Sequence, residues 1–447
     1  MVATGTRNHG GMGFGKARHK FLLLVTLASV LTASLARPAL AAGGDLDPTF
    51  STNGKIRTDF TPSMEFAYDL AIQADGKIVA VGNARRRFAL VRYTADGTLD
   101  STFGGDGKVR TNFTTETDHA EGVAIQANGK IVAVGVARSV FSNSDSRFAV
   151  ARYNADGTLD ATFGGDGKVT TSFRDGDDHA QGVAIQANGK IVAVGTAPER
   201  ASGVPEDTRF ALARYNAKGE LDSTFGGDGK VTSDFEEGWG EALGVAIQAD
   251  GKIVAVGYEG YGDSGAVARY NSDGSLDSTF GGAAFPFHDG YVTTDNWVAN
   301  GVAIQADGKV VVSAAGWGSN WVGPRWAVFR FNANGTKDAT FGEDGRVTTS
   351  FTLADDYARG LAIQADGKIV VAGGAGSSGS GSDSKFAVAR YIADGSLDST
   401  FGGDGKVTTN FTTGVDAARG VVIQADGKIV AAGGANGRFA LARYLAE

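Results

Sequence analysis

The sequence predicts an all-β protein, a seven-bladed β-propeller of four-stranded antiparallel blades. Three observations predict it. One hairpin signature recurs seven times at a near-fixed period. Each period holds four short strand patterns. The two ends of the array are complementary half-repeats, so an N-terminal strand is expected to join the C-terminal blade and close the ring.

The signature is clearest at Gly122–Gly135, GVAIQANGKIVAVG. Its first isoleucine returns at Ile72, Ile125, Ile185, Ile247, Ile304, Ile363 and Ile423, at intervals of 53 to 62 residues. GVAIQ and KIVAVG are rich in Val and Ile, whose branched side chains suit a pleated strand. Between them stands Asp-Gly or Asn-Gly, beginning at Asp75, Asn128, Asn188, Asp250, Asp307, Asp366 and Asp426. That pair predicts a two-residue hairpin turn with positive φ at both centres.

Taken in chain order, the elements begin with a segment unlike the rest. Arg7, Lys16, Arg18 and Lys20 precede an apolar run, Phe21 to Ala36, and a small-residue site at Ala39-Leu40-Ala41. Residues 1–41 therefore read as a secretory signal peptide. The run is short for a bilayer span of about 20 residues. Gly10 to Ala17 resembles a phosphate-binding loop but lacks Ser or Thr after Lys16 and follows no strand.

Residues 43–447 carry the repeats. The hairpin supplies strands a and b. A loop of variable length leads to strand c, as in Arg147 to Asn154. The connector ADGTLDATFGGDG, Ala155 to Gly167, leads to strand d at Lys168 to Phe173. A second variable loop precedes the next hairpin. The array opens with a lone strand d, Lys55 to Phe60, and closes with a, b and c, ending at Arg438 to Tyr444. Those two end strands are expected to pair antiparallel, which removes exposed sheet edges. Strand a, with its Gly and Ala positions, is expected to be innermost.

Composition narrows the function. Net charge is −8, and the five Lys/Arg before Gly43 leave the remainder at about −13. An acidic chain argues against nucleic acid. No cysteine is present, so disulfides and thiol chemistry are excluded. After the leader no segment is apolar enough to span a membrane. Export predicts a secreted or envelope location.

The pattern LDxTFGGDGKV…GVAIQADGKIVAVG…RFALARYNADGSLD resembles the bacterial secreted delta-60 repeats, and more distantly NHL-type propeller repeats. It extends from Asp45 to Tyr444. The resemblance implies a secreted or envelope propeller. The family has no assigned activity or catalytic residues. The chain departs from the pattern at Lys337, where Leu is usual, and after Phe280, where GGAAFPFHDGYV lacks GGDGK.

Residues present in every repeat cannot mark one site. Arg92, Arg152, Arg214, Arg269, Arg330, Arg390 and Arg443, with the connector aspartates, read as a structural network. The a–b and c–d turns are constant, whereas the b–c and d–a loops vary, and in an up-down blade those two emerge on one face. Loops on a rigid scaffold carry function, so that face is the expected binding face.

Two features there are ligand-binding candidates. Glu65, Asp118, Asp178, Asp356 and Asp416 stand seven residues before five hairpin isoleucines. They read as a carboxylate ring at the channel mouth or as turn caps. All five tryptophans lie between 239 and 326. Trp239, Trp297, Trp317 and Trp321, with Tyr258 and Tyr261, read as an aromatic recognition cluster or as loop packing. Trp326 stands at the strand-c Phe position and reads as core, beside a gap at Gly265.

His119, His179 and His288 give no metal-ligand spacing. Gly262-Asp263-Ser264-Gly265 has no histidine placed to serve it, and Gly376–Ser382 holds no nucleophile elbow. No cofactor, metal or catalytic residue is assigned. The favoured expectation is a binding or scaffold module for a glycan, polymer or protein. The alternative is a channel-mouth hydrolase or lyase using the carboxylate ring.

Overall fold

The computed structural model describes residues 41–447 except 61–63, 139–145, 175, 199–206, 236–238, 261–263, 282–289, 318–323, 353–354 and 377–383. Seven four-stranded antiparallel sheets follow one another in chain order. Blade two is typical: strand a is Asp118–Ile125, b Ile131–Arg138, c Ser146–Tyr153 and d Lys168–Thr171. Its ladder runs a-b-c-d, with Ile125 opposite Ile131, Ala133 opposite Ala151 and Phe148 opposite Thr171.

The ring closes as the end phases predict. Lys55–Thr58 pairs antiparallel with Phe439–Tyr444, Lys55 opposite Ala442 and Thr58 opposite Phe439. That completes the seventh sheet, whose other strands are Asp416–Ile423 and Ile429–Ala435.

Hydrophobic burial lies between blades rather than within them. Val79, Val81, Phe88, Leu90 and Phe103 of blade one meet Ala120, Ile131, Ala133, Ala149 and Tyr153 of blade two. Alternate residues of strands b and c face the preceding and following blade, so both faces are apolar. Burying one such large side chain is worth roughly 1.5–3 kcal/mol, and the pattern repeats around the ring.

Polar links repeat with it. Arg152 Nε donates to Asp160 (2.7 Å), Lys130 reaches the same carboxylate, and Arg152 Nη1 donates to the Ala217 carbonyl of the next blade (2.7 Å). The guanidinium also lies over Phe163, 4.6 Å from the ring centre. Equivalent Arg–Asp pairs occur in all seven blades. The seventh uses Asp47 from the other end of the chain. On the rim, the Tyr153 hydroxyl donates to Thr111 of the preceding blade (2.9 Å). These arginines are scaffold.

The hairpin turn differs from the predicted one. Gly129 N donates to the Gln126 carbonyl and Gln126 N to the Lys130 carbonyl, enclosing three loop residues. Only the glycine has positive φ (80°), and no hairpin Asp or Asn does. This is a type I turn followed by a left-handed glycine. Asn128 instead accepts from Lys130 N (3.1 Å), fixing the turn through its side chain. Aspartate serves equally, which explains why Asp and Asn alternate there.

Strand a carries a second departure. In every blade it contains a β-bulge at one place, between Ala120 and Gly122 in blade two. The glycine after the bulge lies where neighbouring a strands crowd at the axis. A Cβ on Gly122 would stand 2.8 Å from the Gln181 carbonyl of the next blade. The bulged residue is released from the ladder, and its side chain enters the central channel.

Candidate functional site

The seven bulged residues are Tyr68, Glu121, Gln181, Leu243, Asn300, Arg359 and Arg419, and all line one cavity of about 260 Å³ on the propeller axis. They lie four residues before each hairpin isoleucine, midway along strand a. The end of the cavity toward the variable d–a loops is termed its mouth. The alanine before each bulged residue recurs in all seven blades, whereas this position and the one two residues earlier in strand a do not repeat.

The unlike residues sort by charge. Arg359, Arg419, Tyr68 and Glu121 come from four successive blades. Arg419 lies over Tyr68, its guanidinium carbon 4.6 Å from the ring centre. Tyr68 faces His119 at 6.3 Å, and His119 Nε2 lies 3.1 Å from Glu121 Oε1. Neither Arg359 nor Arg419 forms an ion pair with a carboxylate among the described residues. Burial, reinforced by the charge of Arg419, pushes Arg359 down to about 10, which leaves it cationic at neutral pH. One side of the mouth is thus guanidinium and the next acidic.

Asp69 stands where the other six blades have glycine. Its Oδ2 accepts from Val123 N (2.9 Å) of blade two and Oδ1 from Leu70 N (2.8 Å). Burial outweighs those two bonds and pushes the carboxyl up to about 7. On the far side Glu241 accepts from Gln181 Nε2 (2.8 Å) and the Tyr258 hydroxyl (2.6 Å). Burial, then the charge of Glu241, raises the Tyr258 phenol. Burial lowers the His179 imidazole, only partly offset by Glu241 and Asp177.

The five acids read as a possible carboxylate ring sit elsewhere. Glu65, Asp118, Asp178, Asp356 and Asp416 are all fully buried. Their carboxylates accept from backbone N–H groups of the preceding loop: Phe60 to Glu65, Phe113 to Asp118, Phe173 to Asp178, Phe351 to Asp356 and Phe411 to Asp416, at 2.7 to 2.9 Å. The geometry is that of turn caps, and it brings none of them to the cavity. An extended loop must satisfy its inward N–H groups, and these side chains do so.

The aromatic candidates divide. Trp239 is 53% exposed on the variable face. Trp297 is buried: it opens strand a of blade five at the acid's position, edge-on to Phe329 at 6.4 Å. Its carbonyl and the Thr294 hydroxyl fill the space beside Gly265, where a Cβ would meet both at 2.1 Å. So Trp297 belongs to the core, as does fully buried Trp326. Tyr258 is half-buried and held by Glu241. Trp321, Tyr261 and the Trp317 side chain lie outside the described residues. Of the described members, Trp297 is thus packed away in the core, while Trp239 and Tyr258 stand on neighbouring chain segments, Trp239 N bonded to the Gly260 carbonyl and Tyr258 opposite Glu241.

The channel residues escaped the sequence reading, although a signal was present. Within a hairpin otherwise nearly constant, one column reads Tyr, Glu, Gln, Leu, Asn, Arg, Arg. Variation there, between an alanine present in all seven repeats and a glycine present in six, is the mark of a position relieved of scaffold duty. Among the described residues no helix is long and apolar enough to cross a membrane.

Among solved structures the chain is similar to a streptogramin B lyase, at 9% identity and TM-score 0.49 over 88% of this chain and 97% of that one. It is similar to the polysaccharide lyase Uly1 at 12% identity and TM-score 0.45, over 91% and 97%. A gluconolactonase from Xanthomonas campestris aligns at 13% identity and TM-score 0.39, over 92% and 99%. These likenesses concern the path of the chain, and no residue role passes from them. A search of curated proteins finds no match. A family described as a domain of unknown function, DUF5122 beta-propeller, matches residues 73–103, 126–163, 186–225, 248–280, 305–341, 364–401 and 424–447, one segment per blade and more than half the chain. The sevenfold sheet and these seven matches place the protein in the DUF5122 beta-propeller family.

Proposed function

We propose that this propeller, of the delta-60 repeat type, is an exported binding module whose ligand, a glycan, polymer or protein, enters the channel mouth on the variable-loop face. One observation carries the reading. The bulged position of strand a bears unlike, chemically active side chains in an otherwise repeated scaffold, and they converge on one cavity. Selectivity needs such asymmetry, and ring stability does not. Exposed Trp239 adds a contact on the same face. The leader reading of residues 1–41 supports export to the cell exterior or envelope.

Glycan and protein arrays probed with residues 42–447 test it. The wild type is expected to retain ligands that a Tyr68→Ala, Glu121→Ala variant retains more weakly. Retention unchanged by that variant and by Trp239→Ala removes both the channel and the face from the reading.

A catalytic reading has one observation in its favour. His119 lies 3.1 Å from Glu121, a residue of the cavity wall, and burial raises Asp69 on the same wall to about 7, so acid–base groups of unlike environment stand close together. Turnover of a retained ligand, abolished by Glu121→Gln, distinguishes an enzyme from a binding module.

A further inference from the structure

The two channel arginines have a property that the scaffold arginines lack. Each strand-c arginine is matched to a buried aspartate and a neighbouring carbonyl, as in Arg152 with Asp160 and Ala217. Arg359 and Arg419 are matched to no carboxylate among the described residues, stand on adjacent blades, and line the same cavity. Two guanidiniums at close quarters repel, and Arg359 registers the charge of Arg419. Glu121 acts on Arg359 only from beyond ion-pair distance, so the pair is open to a counter-charge brought by a ligand. The whole protein is acidic, so the pull is local to this pair rather than a general field.

The remaining groups decide what else the ligand carries. Arg419 is stacked on Tyr68, which fixes its planar fork before any ligand arrives. Glu121 lies on the other side of Tyr68 as an acceptor for hydroxyl groups. Tyr357, two residues before Arg359 in the same strand and 38% exposed, offers an aromatic face. Glu121 on the channel wall and Glu241 behind Gln181, both away from the arginine side, disfavour a polyanionic peptide, whose charges would fall on them. A chain with spaced anionic groups and many hydroxyls satisfies both sides.

We propose that the channel mouth binds an acidic sugar chain, with Arg359 and Arg419 holding its carboxylate or sulfate group and Glu121 accepting from its hydroxyls. This rests on the channel-mouth reading above and names the chemistry of its ligand. A fork-shaped guanidinium pair suits either oxyanion through charge-assisted, two-point hydrogen bonds.

The test is calorimetric titration of residues 42–447 with four probes: trigalacturonate, a sulfated heparin tetrasaccharide, neutral maltotriose and a hexa-aspartate peptide. One or both acidic sugars are expected to bind, and maltotriose and the peptide at least about tenfold more weakly. Arg359→Gln, Arg419→Gln should weaken the acidic sugar at least about tenfold, and Arg359→Lys, Arg419→Lys less, because charge remains while the fork is lost. Thermal unfolding of each variant confirms that it folds. Equal binding of maltotriose, tighter binding of the peptide, or acidic-sugar binding unchanged in the Gln variant overturns the proposal. So does failure of both acidic sugars to bind the wild type. Array ligands that still depend on Tyr68 and Glu121 would then leave the channel reading standing without its acidic sugar. If Trp239→Ala alone abolishes retention, both readings of the channel fail.

Discussion

Arg443 Nη2 lies 2.9 Å from Asp47 Oδ2, an ion pair between the last strand of the chain and its first connector. Lys428 reaches the same carboxylate at 3.2 Å, and the Arg443 guanidinium caps Phe50 at 4.5 Å. Both partners of the ion pair are nearly fully buried. The contact reproduces, between chain ends, what the other six blades make within one repeat.

Asp47→Asn should therefore destabilise the ring at its seam. Leaving a buried arginine without its counter-charge costs about 3 kcal/mol or more. Urea unfolding measures the loss. Hydrogen exchange should show it first at Lys55–Thr58, the strand that the seam retains. Equal loss of protection in all seven blades would show that the ring opens only as a whole.

The same network sets the acid limit of stability. Burial raises Asp47, Asp100 and Asp398, but hydrogen bonds from Thr and Lys and the neighbouring Arg outweigh it and leave each at about 2. Asp160, Asp222 and Asp277 are depressed further below the usual carboxylate range by the same balance. A depressed folded pKa gives stability that is present above the unfolded value of about 3.9 and is lost as pH falls through the folded value. The contribution of these aspartates to the unfolding free energy should be flat near pH 6 and fall steeply from about pH 4 to 2. Asp160→Asn should flatten that slope in a denaturant series across this range.

Asp69 carries the opposite sign. Its folded pKa of about 7 exceeds the unfolded one, so its contribution is fully present below about pH 3.9 and is lost as pH rises through 7. Asp69→Asn keeps an oxygen for Val123 N and removes the titration. The variant should match the wild type near pH 4 and exceed it by about 1 kcal/mol or more at pH 8. A wild-type advantage at pH 8 would show that the ionised carboxylate is accommodated.

Asp118 tests the turn caps. Its carboxylate accepts from Phe113 N, Thr114 N and the Thr114 hydroxyl at 2.8 to 3.0 Å. Asp118→Ala should cost about 1–3 kcal/mol by leaving those donors unmet, with faster amide exchange at Phe113 and Thr114. Unaltered exchange there, with a lost ligand instead, would return Asp118 to the binding face.

Much of the fold was legible because it repeats. The phase of Lys55–Phe60 against Arg438–Tyr444 foretold the closing pair, and recurrence of strand-c arginine with connector aspartate foretold the network. What the sequence hid arises between blades. The bulge before Gly122 follows from crowding against the Gln181 carbonyl of the next blade, a contact separated by about one repeat. Without the bulge, Glu121 reads as one more alternating strand residue. Burial hid the role of the acids and of Trp297: a residue just before a strand can face a loop N–H or the solvent, and spacing alone does not choose. Asp-Gly and Asn-Gly suggested the shorter turn because both serve either geometry.

The seam repeats the Arg–Asp ion pair, the ring contact and the rim Tyr–Thr hydrogen bond of the other junctions, although Arg443 meets Asp47 through Nη2 where the other six arginines use Nε. A Cβ on Gly43 would lie 3.0 Å from the Ala446 carbonyl, so the two backbone ends already touch. A circular permutant, with these ends joined and a new break in any variable d–a loop, would keep every inter-blade contact and the channel. For the propeller itself, the blade at which the chain enters and leaves is thus physically arbitrary, and the wheel has no first blade.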